Sequence, residues 1–277
     1  MTRTPRTSRT DCVPAAVDLT RGAGRRAAEG SDHPLIGLAG ANRPVRLTPD
    51  DGHVLLVAPD GMGTSSLLRT LGAQALASGH HLDILDVHLD EHAWARGLER
   101  VTYIDEPDAV HWHLIGLAHQ ARRRAAAAAP GPRRLLLVES CATTDVLLNH
   151  HADLRPNGAP IDALTAVLAH GRPAGMQVVM ACTALPPPLR HIAADLFTTR
   201  LLIDPDECTW RAVRGAPGDC PPANDPRPGL WHHLSAAGTT TLRAARVSGE
   251  DAAALARRLP TSRTRRRRGA RTTKESD

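Results

Sequence analysis

The stretch His53-Val54-Leu55-Leu56-Val57-Ala58-Pro59-Asp60-Gly61-Met62-Gly63-Thr64-Ser65-Ser66 decides how the rest of the chain is read. From Val54 to Ala58 the residues are apolar without interruption, over the length of a strand covered on both faces. Pro59, Asp60, Gly61 and Gly63 break the run, and hydroxyl residues precede a helical pattern from Leu67-Leu68 to about Ser78. Strand, glycine turn and helix start form the layout of a phosphate-binding loop. Glycines let successive backbone N–H groups face one concavity, and the helix start adds positive potential. Asp60, Gly61, Met62, Gly63, Thr64, Ser65 and Ser66 are the residues that would bind a nucleotide there.

The common form of such a loop, GxxxxGK[ST], carries a lysine for the outer phosphates. In that register this chain has Ala58 for the first glycine and Thr64 for the lysine, but keeps Gly63 and the Mg-type hydroxyl Ser65. The missing ammonium would make charge-assisted contacts worth about 1.5–3 kcal/mol each, or roughly ten- to a hundredfold in affinity. Asp60 adds a negative charge close to where a phosphate would sit. The same residues also suit a plain strand-to-helix turn.

Further strands are expected at 35–38, 44–47, 82–85, 101–104, 135–138, 177–181 and 200–203, with helices at 107–129, 160–170 and 189–196. This alternation predicts an α/β fold: a mostly parallel central sheet with helices on both faces. Residues 230–234 and 240–247 read as a small antiparallel pair near the C-terminus, followed by a last helix capped at Ser248. Segment 215–229, rich in Pro and Gly, reads as a loop. The expected organisation is a disordered basic segment at 1–33, a folded domain at 34–259 and a disordered Arg-rich tail at 260–277.

Of 277 residues, 42% are hydrophobic and only 2% aromatic, so the core must be aliphatic and a base-stacking platform is excluded. The formal charge of +5 divides into +2 for 1–33, +5 for 261–277 and −2 for the body between them. Arg263, Arg265, Arg266, Arg267, Arg268 and Arg271 are therefore the candidate DNA-binding residues, through contacts to phosphates that carry no sequence information. A solubilising tail or an acidic protein partner fits the same charges. No apolar run reaches membrane-spanning length and no secretory signal is visible, which predicts a soluble, cytoplasmic protein. The five cysteines form no CxxC, and Cys141 and Cys182 read as small buried hydrophobes. His88 and His92 are four apart, but no third metal ligand can be named. Glu139-Ser140-Cys141 lacks the Gly-x-Ser-x-Gly elbow of a hydrolase.

Several segments occur in a recognisable order: His33-Pro34-Leu35-Ile36-Gly37-Leu38, the stretch 53–69, Asp86-Val87-His88 with His92-Ala93-Trp94-Ala95-Arg96-Gly97-Leu98, and Val167 to Ala181 with its Gly171-Arg172-x-x-Gly175 centre. Together they resemble the FtsK/SpoIIIE-type DNA translocases, in particular the short actinobacterial proteins of plasmid transfer and integrative elements. The resemblance spans about residues 33–259. It implies a RecA-like P-loop NTPase fold, ATP and Mg as cofactors, and a hexameric ring around double-stranded DNA.

By the same resemblance, Glu139 stands where the family has the Mg-holding Asp, and Ser140 where it has the catalytic Glu. Thr183 stands in place of the Gln of a polar sensor pair, and His88 in place of a Lys. A serine cannot act as general base at neutral pH without a partner. The expected function is that of a degenerate, weakly or non-hydrolysing nucleotide-binding subunit or regulator, paired with itself or with an intact motor in a hetero-oligomer. The alternative is an active translocase whose missing Lys and Glu are supplied by other residues or by a neighbouring subunit, with Arg172 or another arginine acting in trans.

Overall fold

The computed structural model describes residues 12–29, 31–87, 90–139, 142–150, 160–214, 220, 227–236 and 238–258. In chain order the elements are β1 (Val17–Asp18), α1 (Gly22–Glu29), β2 (Leu35–Ala39), β3 (Pro44–Arg46), β4 (Val54–Val57), α2 (Thr64–Ala77), β5 (His81–Leu85), β6 (Val101–Ile104), α3 (Pro107–Ala126), β7 (Arg134–Val138) and α4 (Ala142–Asn149). They continue with α5 (Pro160–His170), β8 (Met176–Cys182), α6 (Pro187–Arg190), α7 (Ala193–Leu196), β9 (Thr199–Leu202), α8 (Glu207–Arg214), β10 (Leu230–Ser235), β11 (Gly238–Arg246) and α9 (Gly249–Ala256).

One sheet runs in the order β3-β2-β11-β10-β9-β4-β8-β7-β5-β6, with β1 added to β11. From β9 to β6 every pairing is parallel, so β4, β8, β7 and β5 all end at the same sheet edge. From β9 through β10, β11 and β2 to β3 the pairings are antiparallel.

The unbroken apolar run of β4 has a direct cause. Leu55 and Val57 point into a cluster with Val110, Leu114, Leu164 and Val167 of α3 and α5, while Val54, Leu56 and Ala58 point into another with Leu67, Leu68 and Leu71 of α2. Both faces of the strand are core, so no position is left for a polar side chain. Buried polar groups tie these layers together. The Gln74 side-chain carbonyl accepts from Leu35 N–H at 2.8 Å, and its amide donates to the Leu35 carbonyl at 3.1 Å, joining α2 to β2. His53 Nε2 donates to the Leu168 carbonyl at 2.9 Å and Nδ1 accepts from Val178 N–H at 3.0 Å. Burial, only partly offset by the Leu168 bond, pushes the His53 imidazole down to about 4.

The structure departs from the sequence reading in five places. Segment 1–33 is not structureless over its described part: β1 pairs with β11, and Val17 and Leu19 are buried. Their few apolar residues are sparse in sequence yet land on an existing cluster with Leu35, Leu38 and Val247. The antiparallel group holds β2 and β3 as well as the C-terminal pair. Helix α2 starts at Thr64, not Leu67, because polar residues suit a solvated first turn. Helices α4 and α8 fall where none is expected, and 189–196 contains a break between α6 and α7 at His191-Ile192. Residues 259–277, with all the candidate DNA-binding arginines, lie outside the described residues.

Candidate functional site

The turn after β4 has the backbone of a phosphate cradle. Gly61 and Gly63 sit at φ +77° and +95°, in the left-handed region that a side chain strains to adopt. Gly63 occupies the N-cap position of α2, and its carbonyl accepts from Leu67 N–H at 3.0 Å. The backbone N–H groups of Gly61, Gly63, Thr64, Ser65 and Ser66 have no protein acceptor among the described residues. Five donors at the start of a 14-residue helix fit a phosphate group. Asp60 is exposed at the loop's outer rim, while Met62, Thr64, Ser65 and Ser66 are half-buried.

A support for this loop comes from far along the chain. Gly229 N–H donates to the Met62 carbonyl at 2.9 Å, and a Cβ on Gly63 would lie 3.7 Å from Gly229 N. Behind Gly229, Arg243 donates to the carbonyls of Pro228 at 2.6 Å and Pro14 at 3.3 Å. Burial and the neighbouring Arg227 push the Arg243 guanidinium below its ordinary value. Arg243 thus braces the turn that carries the loop's supporting N–H, a role of which sequence spacing offers no sign.

The acidic side of the site is organised differently from the expectation. Glu139 follows β7, two strands from β4, or about 10 Å across the sheet. Its carboxylate has no exposure and takes a 2.7 Å hydrogen bond from His92 Nε2, which is equally buried. Trp94 Nε1 donates to the other ring nitrogen, Nδ1, at 3.3 Å. Nδ1 is therefore the acceptor nitrogen, and the ring's hydrogen sits on Nε2, facing Glu139.

Beside this pair, Asp86 directly follows β5 and is fully buried. Asp86 Oδ2 accepts from His92 N–H and from the Tyr103 hydroxyl, whereas Oδ1 has no partner among the described residues. Burial and the Asp86 bond raise the Tyr103 hydroxyl above its ordinary value. Arg96 covers the Tyr103 ring at 4.0 Å and bonds Asp90 and Asp105. Asp86 is three strands from β4, about 14 Å, too far to share a metal ion with a phosphate in the loop. The residues therefore fit a phosphate well and a Mg ion poorly: Ser65 is in place, but the Glu139 carboxylate is occupied by an imidazole.

Thr183 follows β8, the strand between β4 and β7, and is exposed. Cys182 is buried, its thiol donating to the Leu56 carbonyl at 3.7 Å while its own carbonyl accepts from Ala58 N–H. It is a packing residue, as expected. Arg172 lies before β8 at the opposite sheet edge, 3.8 Å from Asp50. The length of β8 places it about 20 Å from the loop of its own chain. Ser140, His88 and Cys141 lie outside the described residues.

The architecture has solved counterparts. The pCW3 conjugation coupling protein TcpA, in its monomer form with ATPγS, matches with a TM-score of 0.69 at 14% identity, over 87% of this chain and 73% of its own. This is the fold of the FtsK/SpoIIIE-type ATPases. Two secretion-system members of that type match as well. Thermomonospora curvata EccC (ATPases 2 and 3), solved with a signal sequence peptide, gives a TM-score of 0.62 at 15% identity over 85% of this chain and 44% of its own. EssC (ATPases 2 and 3) from Geobacillus thermodenitrificans gives 0.61 at 15% identity over 92% and 52%. The chain thus spans about half of EssC and less than half of EccC. No protein-family model and no curated protein matches the sequence. Among the described residues no helix is long and apolar enough to cross a membrane.

Proposed function

We propose that this chain is a nucleotide-binding subunit or regulator of FtsK type, which holds ATP weakly, hydrolyses it slowly or not at all, and serves the transfer of double-stranded DNA. The observation that carries the reading is the buried His92–Glu139 pair. A carboxylate that should face Mg and water is instead enclosed and hydrogen-bonded to a neighbouring loop. Thr64 removes the phosphate-gripping ammonium, and the Ser140 position offers no carboxylate. Three chemical positions are thus altered together, while the backbone donors of the loop remain in place.

Nucleotide binding is supported by those free N–H groups and by the left-handed Gly61 and Gly63 that present them. The DNA assignment is supported by the resemblance in sequence order, by the Arg-rich 263–271 segment and by the likeness to a conjugation coupling protein. A ring, of one chain or mixed with an intact motor, is part of the same proposal. Two measurements test it: titration of the full chain with Mg-ATP, and phosphate release with and without duplex DNA. Weak saturable binding with no DNA-stimulated release is the expected result. Stimulated turnover that disappears in Ser65→Ala and Glu139→Gln would overturn the proposal in favour of an active motor.

A further inference from the structure

At the sheet edge opposite the phosphate loop, the starts of β4, β5, β7 and β8 surround a cavity of about 70 Å³. At 10–15 Å³ per water, that is room for roughly five non-hydrogen atoms. Its floor is apolar (Leu47, Ala75, Leu135, Met176), and its rim carries His33, His80, Arg133, Arg134 and Arg172. Among the described residues no acidic side chain lines it. We propose that this cavity is a second anion site, which takes a phosphate-sized oxyanion between Arg133, Arg172 and His80.

The charges around it are unbalanced. Arg134 is neutralised from below by Asp83, with Nη1 2.6 and 2.7 Å from the two carboxylate oxygens. Among the described residues Arg172 pairs with Asp50 alone, 3.8 Å away and almost fully exposed, a geometry that contributes little. Arg133 has no carboxylate partner among the described residues. Three guanidiniums and two imidazoles thus converge over an apolar floor with one acid held firmly by one of them. Hydrogen bonds from charged donors strengthen where water is partly excluded.

His80 reports the same field. The side chain is half-buried at the cavity wall, and its ring makes no hydrogen bond among the described residues. Burial lowers its imidazole to about 4, and Arg133, His33 and Arg100 push in the same direction. Arg133 before β7 and Arg100 before β6 are the guanidiniums that act on the ring, and His33 before β2 adds to them. An oxyanion among them would reverse the field and give the ring nitrogen a partner. The volume admits the five heavy atoms of a phosphate, and the open rim leaves room for a substituent outside. The ligand is therefore either free phosphate or the terminal phosphoryl group of a larger molecule.

The test is a titration of the full chain at neutral pH and low salt with inorganic phosphate, and separately with phenyl phosphate, following the His80 ring resonances by NMR. The phosphate loop lies at the other sheet edge, so binding there leaves those resonances in place. A saturable His80 shift is expected, weakened at least tenfold in Arg133→Gln/Arg172→Gln, since one charge-assisted contact is worth about a decade or more. Both side chains are exposed, and circular dichroism checks that the variant is folded. Binding of both probes marks a terminal phosphoryl group as the ligand, and exclusion of phenyl phosphate marks free phosphate. No His80 shift up to about 20 mM of either probe, a range covering even weak millimolar sites, would overturn the inference. Equal affinity in the double variant would do the same.

Discussion

Replacing His92 by Phe isolates the interaction on which the functional reading depends. The substitution keeps a flat ring in the space but leaves the Glu139 carboxylate, which has no exposure, without its 2.7 Å donor. Removing one partner of a buried, hydrogen-bonded charged group costs about 3–5 kcal/mol. For a domain of this size each kcal/mol lowers the melting temperature by about 2–4 °C, so the loss should be roughly 6–20 °C. Differential scanning calorimetry at pH 7 reads it directly. Glu139→Gln keeps an oxygen to accept from Nε2 and should cost under about 1.5 kcal/mol. The double variant His92→Phe/Glu139→Leu should recover about 2 kcal/mol or more of the summed single losses, since neither half of the pair is then left without the other. If His92→Phe melts within about 2 °C of the parent, Glu139 is held by other groups and the account of its capture is wrong.

Three further outcomes follow from the same geometry. Thr64→Lys should tighten Mg-ATP by roughly ten- to a hundredfold in calorimetric titration, because the loop backbone is already arranged for phosphate; no gain would mean that the cradle is closed to nucleotide. Stability should fall with acid: His53 titrates near 4 folded against 6.5 in the unfolded chain, so the unfolded state binds more protons in that window. Its contribution, about 3 kcal/mol, is complete above pH 6.5 and lost towards pH 4; urea unfolding at pH 7 and 4.5 measures it, and a flat profile in the parent contradicts it. Arg243→Gln should weaken nucleotide binding several-fold and also loosen the 227–229 segment. Faster hydrogen exchange at Gly229 N–H without any change at α2 would be the signature.

The parallel half of the sheet was legible because β4, β7 and β8 are covered on both faces and read as unbroken apolar runs. Segment 12–29 was not, since β1 and the residue after it put only Val17 and Leu19 into the core, amid Arg21, Arg25 and Arg26. Helix α8 was hidden by its polar face; only Thr209, Trp210 and Val213 are buried. At the site, the glycines and Ser65 were readable from local order. The capture of Glu139 by His92, 47 residues away, was not, because it depends on how the segment after β5 folds back over the end of β7. The support from Gly229 is hidden for the same reason: Met62 and Gly229 meet only once β10 is in place.

The position of β11 also orders events in time. It lies between β2 and β10, and it carries β1 as well, so residues 238–246 are the shared neighbour of strands made some two hundred positions earlier. During synthesis, which begins at the N-terminus, the β2–β3 hairpin and β1 emerge long before the strand that must hold them. Loop-closure entropy delays such a pairing further. Strands β1 to β3 therefore wait for residues 238–246, and a nascent chain stalled before position 238 would carry an orphaned, sticky edge.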